Sequence, residues 1–140
     1  MMPDQLAAIH AQAMDVPAPW SAANFAKLID TNGVFIVLGH PNAGFALGRV
    51  IADEAELLTL AVVPSRQRKG IGAACLAAFE STACELGAAI AHLEVAKSNL
   101  GARSLYEQQG WTETGRRPRY FRGPDGRIDA ILMQKRLSPA

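Results

Sequence analysis

Two rhythms of apolar positions alternate along the chain. Leu6, Ile9, His10 and Ala13 recur at helical spacing behind Pro3 and Asp4, both of which favour a helix start, and predict a first helix over residues 4–14. Pro17, Pro19 and Trp20 end it, and Ser21 caps a short second helix carrying Phe25, Leu28 and Ile29 up to an Asn32, Gly33 turn. The rhythm then shortens to strands over residues 34–38, 43–51 and 57–63. Their connectors, at Pro41, Asn42 and at Asp53, Glu54, are short enough for antiparallel hairpins. Residues 57–63 hold only Thr59 as a polar position and read as a buried strand. Helical spacing returns with Ile71, Ala74, Cys75, Ala78, Phe79 and Leu86, closed by Gly87. Another apolar strand follows at 89–95, and the helix-length crossover makes it parallel to the strand before. A last helix over 99–109 stops at Gly110, and two strands, from Trp111 onward and over 128–135, flank an Arg-rich connection marked by Pro and Gly. The expected fold class is α/β, with a mixed, mostly antiparallel sheet and one central parallel βαβ pair.

Composition narrows this picture. With 140 residues, 49% of them hydrophobic, and a net charge of +1, the chain suits one domain, residues 1–140, and is too short for two. It has no apolar run near the roughly 20 residues that span a bilayer and no basic, then apolar, leader, so a cytoplasmic protein with no membrane partner is expected. The near-neutral charge gives no global signal for nucleic acid. Cys75 and Cys84 are nine apart on one helix and face opposite sides, which rules out a mutual disulfide. His10, His40 and His92 are scattered, and no metal-ligand spacing is present.

The chemistry concentrates in PSRQRKGIG, residues 64–72, between the buried strand and its following helix. The first-turn amides of that helix lack intrahelical acceptors and carry the positive end of its dipole, which makes an anion site, phosphate above all. Gly70 and Gly72 allow close backbone approach, while Arg66, Arg68 and Lys69 add charge. Taken alone, the segment reads equally well as a basic surface turn. A dinucleotide-binding reading is weak, because the third glycine of GxGxxG is replaced by Cys75 and a basic loop separates strand from glycines. The Walker pattern GxxxxGK[ST] is absent.

The loop and the downstream segments together decide the matter. Residues 67–72, QRKGIG, fit Q/R-x-x-G-x-G/A, and LEVAKSN followed by ARSLYEQQGW supplies a strand, an Asn-bearing turn and a Leu-Tyr helix. In this order the segments resemble the GCN5-related N-acetyltransferases (GNAT). With PWS, EAELLTLAV and DAILM in sequence, they are most similar to the RimI-type enzymes, which acetylate the N-terminal amine of a small-subunit ribosomal protein. The resemblance covers nearly the whole chain. It implies the GNAT acyl-CoA N-acyltransferase fold, with the family's usual first strand missing here. The implied co-substrate is acetyl-coenzyme A, with no metal. The implied acceptor is a primary amine, foremost a protein N-terminus such as that of a ribosomal protein, with a small-molecule amine or lysine side chain as the near alternative.

The resemblance also implies roles. Leu60, Ala61, Val62, Gln67, Arg68, Lys69, Gly70, Ile71, Gly72, Ala73, Asn99 and Arg103 would hold the coenzyme. Acyl transfer from a thioester needs a neutral amine and a proton for the departing thiolate. Glu94, in an otherwise apolar strand, would be the general base, acting through water, with burial raising its pKa; a head group reaching solvent or an arginine is the plainer alternative. Tyr106 would be the general acid, or simply an aromatic packed on the sheet. Asn99, Ala102, Arg103 and Tyr106 share one helix face, on which Asn99 could cap the helix or bind the pantetheine arm. Trp20, Tyr120 and Phe121 would wall the acceptor pocket, Trp20 doubling as a core anchor; Arg116, Arg117, Arg119, Arg122 and Arg127 surround the last two. Phe121 replaces the usual second tyrosine, Ala96 an arginine and Ile128 an acidic residue, changes that bear on acceptor choice. A catalytically weak coenzyme-binding module and a nucleotide-binding redox domain are the readings from other classes.

Overall fold

The computed structural model describes residues 2–14, 18–40, 43–67 and 70–137. Two helices, α1 (Pro3–Ala13) and α2 (Ala22–Ile29), lead into strands β1 (Val34–His40), β2 (Gly44–Ile51) and β3 (Glu54–Val62). A 3-10 turn at Pro64–Arg66 precedes α3 (Ile71–Glu85), followed by β4 (Ile90–Ala96), α4 (Leu100–Gln108), β5 (Thr112–Gly123) and β6 (Gly126–Arg136). The sheet runs in the order β1-β2-β3-β4-β6-β5. Among the described residues only β3 and β4 pair in parallel, as the α3 crossover requires. Among the described residues no strand precedes α1, and β1 lies at one end of the strand order.

The middle of the sheet is covered on both faces. Phe79 and Leu76 of α3 pack on one face with Leu57, Leu93, Ile131 and Met133, and the Phe35 ring stacks on Phe79 at 5.7 Å. On the other face Leu6, Ile9 and Phe25 of α1 and α2 meet Phe45, Leu47 and Ala61. Five consecutive residues of β2, Gly44 to Gly48, are buried, as expected for a strand covered on both sides. Ser21 caps α2 as its sequence predicts, accepting from the Asn24 N–H at 3.2 Å. At the far end Lys135 Nζ meets Glu80 Oε1 at 2.6 Å and the Gln109 carbonyl at 2.7 Å, while Trp111 Nε1 donates to Glu80 Oε2, fastening α3, α4 and β6 together.

Two hairpins differ from expectation. The second hairpin turns at Ala52 and Asp53, with Ala52 at φ +55°, and β3 starts at Glu54. Its first residues alternate exposed Glu54 and Glu56 with buried Ala55 and Leu57, a true strand rhythm that carboxylates disguise as a turn. The Arg-rich segment is β5 itself, exposed on both sides and so lacking an apolar period, and the turn of that last hairpin follows Gly123. The turn expected at Pro41 and Asn42 lies outside the described residues.

Two of the sheet's irregularities shape the cleft. Leu47 pairs with Thr59 and Gly48 with Leu57, which leaves Leu58 as an extra residue, a β-bulge. Beyond it β3 and β4 part, since their pairing ends at Leu57 and Leu93 although both strands continue. In β5 three residues lie between Arg117 and Phe121, which pair with Ala130 and Ile128, and only Asp129 lies opposite. Pro118 has no N–H for the ladder, Arg119 adopts φ +51°, and the Asp129 carboxylate accepts the Arg119 N–H at 2.9 Å.

Candidate active site

The cleft opened by the Leu58 bulge is a cavity of about 410 Å³. Leu60 on the β3 side, Glu94 and Ala96 of β4, and Asn99, Ala102 and Tyr106 from the α4 side line it. So do Trp20, Tyr120 and Phe121. Residues about a hundred positions apart thus share one wall. Tyr120 and Phe121 would face opposite sides of a regular strand; the two-residue excess of β5 lets both reach this cavity, where their rings meet edge to face at 5.1 Å.

Glu94 is not sealed into the core. Its side chain retains 27% exposure, and its Oε1 lies 3.3 Å from Arg117 Nε, the plainer of the two environments its sequence allowed. The same guanidinium sits 5.5 Å from the centre of the Tyr120 ring. Tyr106 is buried, its ring 6.1 Å from Trp111, and burial pushes its phenol well above the usual range, so that it keeps its proton at neutral pH. Asn99 does cap α4, accepting the Ala102 N–H through Oδ1 at 3.2 Å, and also lines the cavity. Arg103 instead donates to the Lys97 carbonyl at 2.9 Å and bridges the turn between β4 and α4.

At the loop end, the Gln67 side chain donates to the Val62 carbonyl at 3.0 Å and folds the segment back on β3, with Ala61 and Val62 buried beneath. Gly70 adopts φ +80°, ψ 0°, where an L side chain is strained, and a Cβ there would meet no atom within 4 Å. Open space and positive φ together leave α3 beginning at a bare backbone, with no side-chain cap and no acidic residue in the first turn formed by Ile71, Gly72 and Ala73. A Cβ at Gly72 would lie 3.3 Å from Leu105 Cδ2, so this glycine serves close packing of α3 against α4. Arg68 and Lys69 lie outside the described residues. Uncapped amides, an open approach and the parted strands beside them suit an extended ligand that ends in phosphates, as coenzyme A does.

Two residues to which the sequence assigned no site role also line the cavity. His10 is fully buried, accepts the Trp20 N–H at Nδ1 (2.9 Å) and therefore carries its hydrogen on Nε2, which donates to Thr59 Oγ1 at 2.9 Å. Burial lowers its pKa from 6.5 to about 4, so the ring is neutral. Glu56 lies across the β3–β4 pair from His92 and lines the same cavity as Glu94. Alternation of Glu56 with buried Ala55 and Leu57 was a signal for it; His10 is core, as its helical spacing with Leu6 implies, and only its polarity sets it apart.

The family is now defined. The chain matches the Acetyltransferase (GNAT) family over residues 6–111 and belongs to it; it is an N-acetyltransferase. It is 36% identical over 137 residues to the ribosomal protein bS18-alanine N-acetyltransferase of Escherichia coli (strain K12), spanning 96% of this chain and 93% of that protein. The crystal structure of the ribosomal-protein-S18-alanine N-acetyltransferase from Escherichia coli superposes with a TM-score of 0.86 at 34% identity, covering 99% of this chain and 89% of that one. Arabidopsis thaliana NAA60 in complex with acetyl-CoA shares the fold at a TM-score of 0.82 and 15% identity, covering 96% and 93%.

Proposed function

We propose that this enzyme transfers the acetyl group of acetyl-coenzyme A to the N-terminal α-amine of a protein, with an alanine-terminated ribosomal protein as the foremost acceptor. The observation that carries the reading is the single cavity in which Glu94, Tyr106 and Asn99 meet Trp20, Tyr120 and Phe121. The relative of 36% identity, named for acetylating an alanine of ribosomal protein bS18, supports the choice of acceptor.

Bound acetyl-coenzyme A supplies a thioester whose acyl carbon bonds to an amine nitrogen as its carbon–sulfur bond breaks. The uncapped start of α3, with Gly70, Ile71, Gly72 and Ala73, holds the pyrophosphate through backbone N–H groups. The β3 edge at Leu60, Ala61 and Val62, beyond the point where β4 leaves it, aligns the pantetheine arm with Asn99. Arg68, Lys69 and Arg103 tune affinity by charge. Glu94, partly exposed, accepts a proton from the amine through water, and Tyr106 donates its phenolic proton towards the departing sulfur. Trp20, Tyr120 and Phe121 enclose the acceptor, with Phe121 giving shape and no hydroxyl.

Acetyl transfer to a panel of N-terminal peptides, free amino acids, lysine side chains and polyamines tests this. The expected result is preference for the alanine-terminated ribosomal peptide and lost turnover in Glu94→Gln with coenzyme A binding retained. Preference for a polyamine or a free amino acid overturns the acceptor assignment, and unchanged turnover in Glu94→Gln overturns the base.

A further inference from the structure

One side chain ties the loop that carries Trp20 to the sheet. Residues 18–20 belong to no helix or strand, and among the described residues the hydrogen bond this stretch makes runs from the Trp20 N–H to His10 Nδ1, at 2.9 Å. On its other side the same ring donates from Nε2 to Thr59 Oγ1, also at 2.9 Å. Thr59 directly follows Leu58, the extra residue beyond which β3 and β4 part, and His10, Trp20 and Thr59 all line the cleft. The imidazole is therefore the spacer between the Trp20 loop and the strand edge assigned above to the coenzyme.

Packing alone gives no reason for a polar ring at this place. His10 is buried with Leu6 and Ile9 on α1, and the Phe25 ring meets it edge to face at 5.3 Å. An apolar side chain would fill such a site without the cost of taking two ring nitrogens out of water. It could not, however, accept from a loop N–H on one side and donate to a strand hydroxyl on the other. A neutral imidazole does both on a rigid frame. The ring also lies against the Trp20 indole, with centroids 5.0 Å apart and planes at 34°, so one residue sets both the backbone and the side chain of Trp20.

We infer that His10 is a positioning residue for the acceptor: its imidazole holds Trp20 at a fixed distance from β3 and so sets the width of the acceptor pocket, acting through Trp20 and not on the reacting atoms. The inference rests on the reading of Trp20 as an acceptor wall given above. The depressed pKa of the buried ring agrees with it, because only the neutral form has a lone pair to offer the Trp20 N–H.

The test is steady-state kinetics on the full chain, with acetyl-coenzyme A and the amine from the panel that the wild type acetylates best. In His10→Gln the side-chain amide stands where Nε2 was, and the Trp20 N–H loses its acceptor. In His10→Asn the amide oxygen takes the place of Nδ1 and keeps that bond. His10→Gln is expected to raise the KM for the amine about tenfold or more, with kcat and the KM for acetyl-coenzyme A within about twofold of wild type, the pattern of binding lost equally in ground and transition states. His10→Asn is expected to recover most of that loss, although both variants melt below the wild type, and hydrogen exchange at the Trp20 amide should be fast in His10→Gln and slow in His10→Asn. Thr59→Val keeps the branched shape while freeing the ring from β3; it should raise the same KM severalfold, and it decides the matter if His10→Gln does not fold. The inference is overturned by an equal rise in the Gln and Asn variants, by a KM for acetyl-coenzyme A that rises as much as that for the amine, or by an amine KM within about twofold of wild type in His10→Gln or, should that not fold, in Thr59→Val. Trp20→Ala separates the two readings: if it too leaves the amine KM unchanged, the acceptor wall falls together with the inference, whereas a raised KM beside a silent His10→Gln removes only the role of His10.

Discussion

Because the Trp20 N–H donates to His10 Nδ1, the imidazole cannot take up a second proton without losing that bond, and its buried site opposes the charge as well. Folding therefore lowers its pKa from 6.5 to about 4, and the unfolded chain binds the proton more readily between those values. The stabilising contribution is complete above pH 6.5 and is lost as the pH falls towards 4, to a total of up to about 3 kcal/mol. Urea denaturation at intervals from pH 7.5 to 4.5 should show this slope in the wild type and a flatter one in His10→Gln. Tyr106 is displaced in the opposite direction, upward, so it holds its proton throughout the neutral range. Tyr106→Phe should lower kcat by roughly a hundredfold, with coenzyme A affinity kept; a merely structural tyrosine would leave kcat near wild type. At this scale the resemblance carried by LEVAKSN and ARSLYEQQGW singled out Glu94, Asn99 and Tyr106, and all three line one cavity; their periods alone left the plainer readings open. It did not disclose Arg117 beside Glu94 or Trp20 on His10, because neither neighbour lies within a turn or a strand pair of its partner in the chain.

Element by element, the order of helices and strands, the parallel pair and the loop ahead of α3 follow from apolar spacing and from Gly and Pro punctuation. The bulges do not. An extra Leu58 within ELLTLAV breaks no composition rule, and only the register with β2 exposes it. The excess in β5 is similar, although Pro118 marks its place once the strand is known. Asp129 should matter here as a fastener, accepting the Arg119 N–H. Its replacement in Asp129→Ala should cost only about 1 kcal/mol of stability yet raise the KM for the acceptor while leaving coenzyme A affinity unchanged, measured by thermal melts and steady-state kinetics. On the coenzyme side, Gly72→Val adds bulk 3.3 Å from Leu105 Cδ2 and should destabilise the fold by roughly 1–3 kcal/mol, visible as a lower urea midpoint.

Across the whole molecule, one sheet separates two apolar layers, α3 and α4 on one side and α1 and α2 on the other, and the cleft lies where strands from the middle of that sheet separate. A ligand seated there contacts both halves of the sheet, so binding should be read out as global stability. At a concentration a hundred times its dissociation constant, coenzyme A should add about 2.7 kcal/mol, seen as a raised melting temperature. Gly70→Glu, which places a carboxylate at the bare start of α3, should abolish that rise while the circular dichroism spectrum is kept.

The β5 excess gives the acceptor wall a property that side-chain identity alone would not. The strand accommodates residues 118–120 outside its ladder, with regular pairing resuming on each side, so its length is a variable independent of the rest of the sheet. Removing two of those residues would close the ladder and turn one of the two aromatic rings away from the cleft, without shifting Glu94, Tyr106 or the start of α3. Acceptor preference in this architecture can therefore drift by insertion and deletion at one point while the coenzyme half stays fixed.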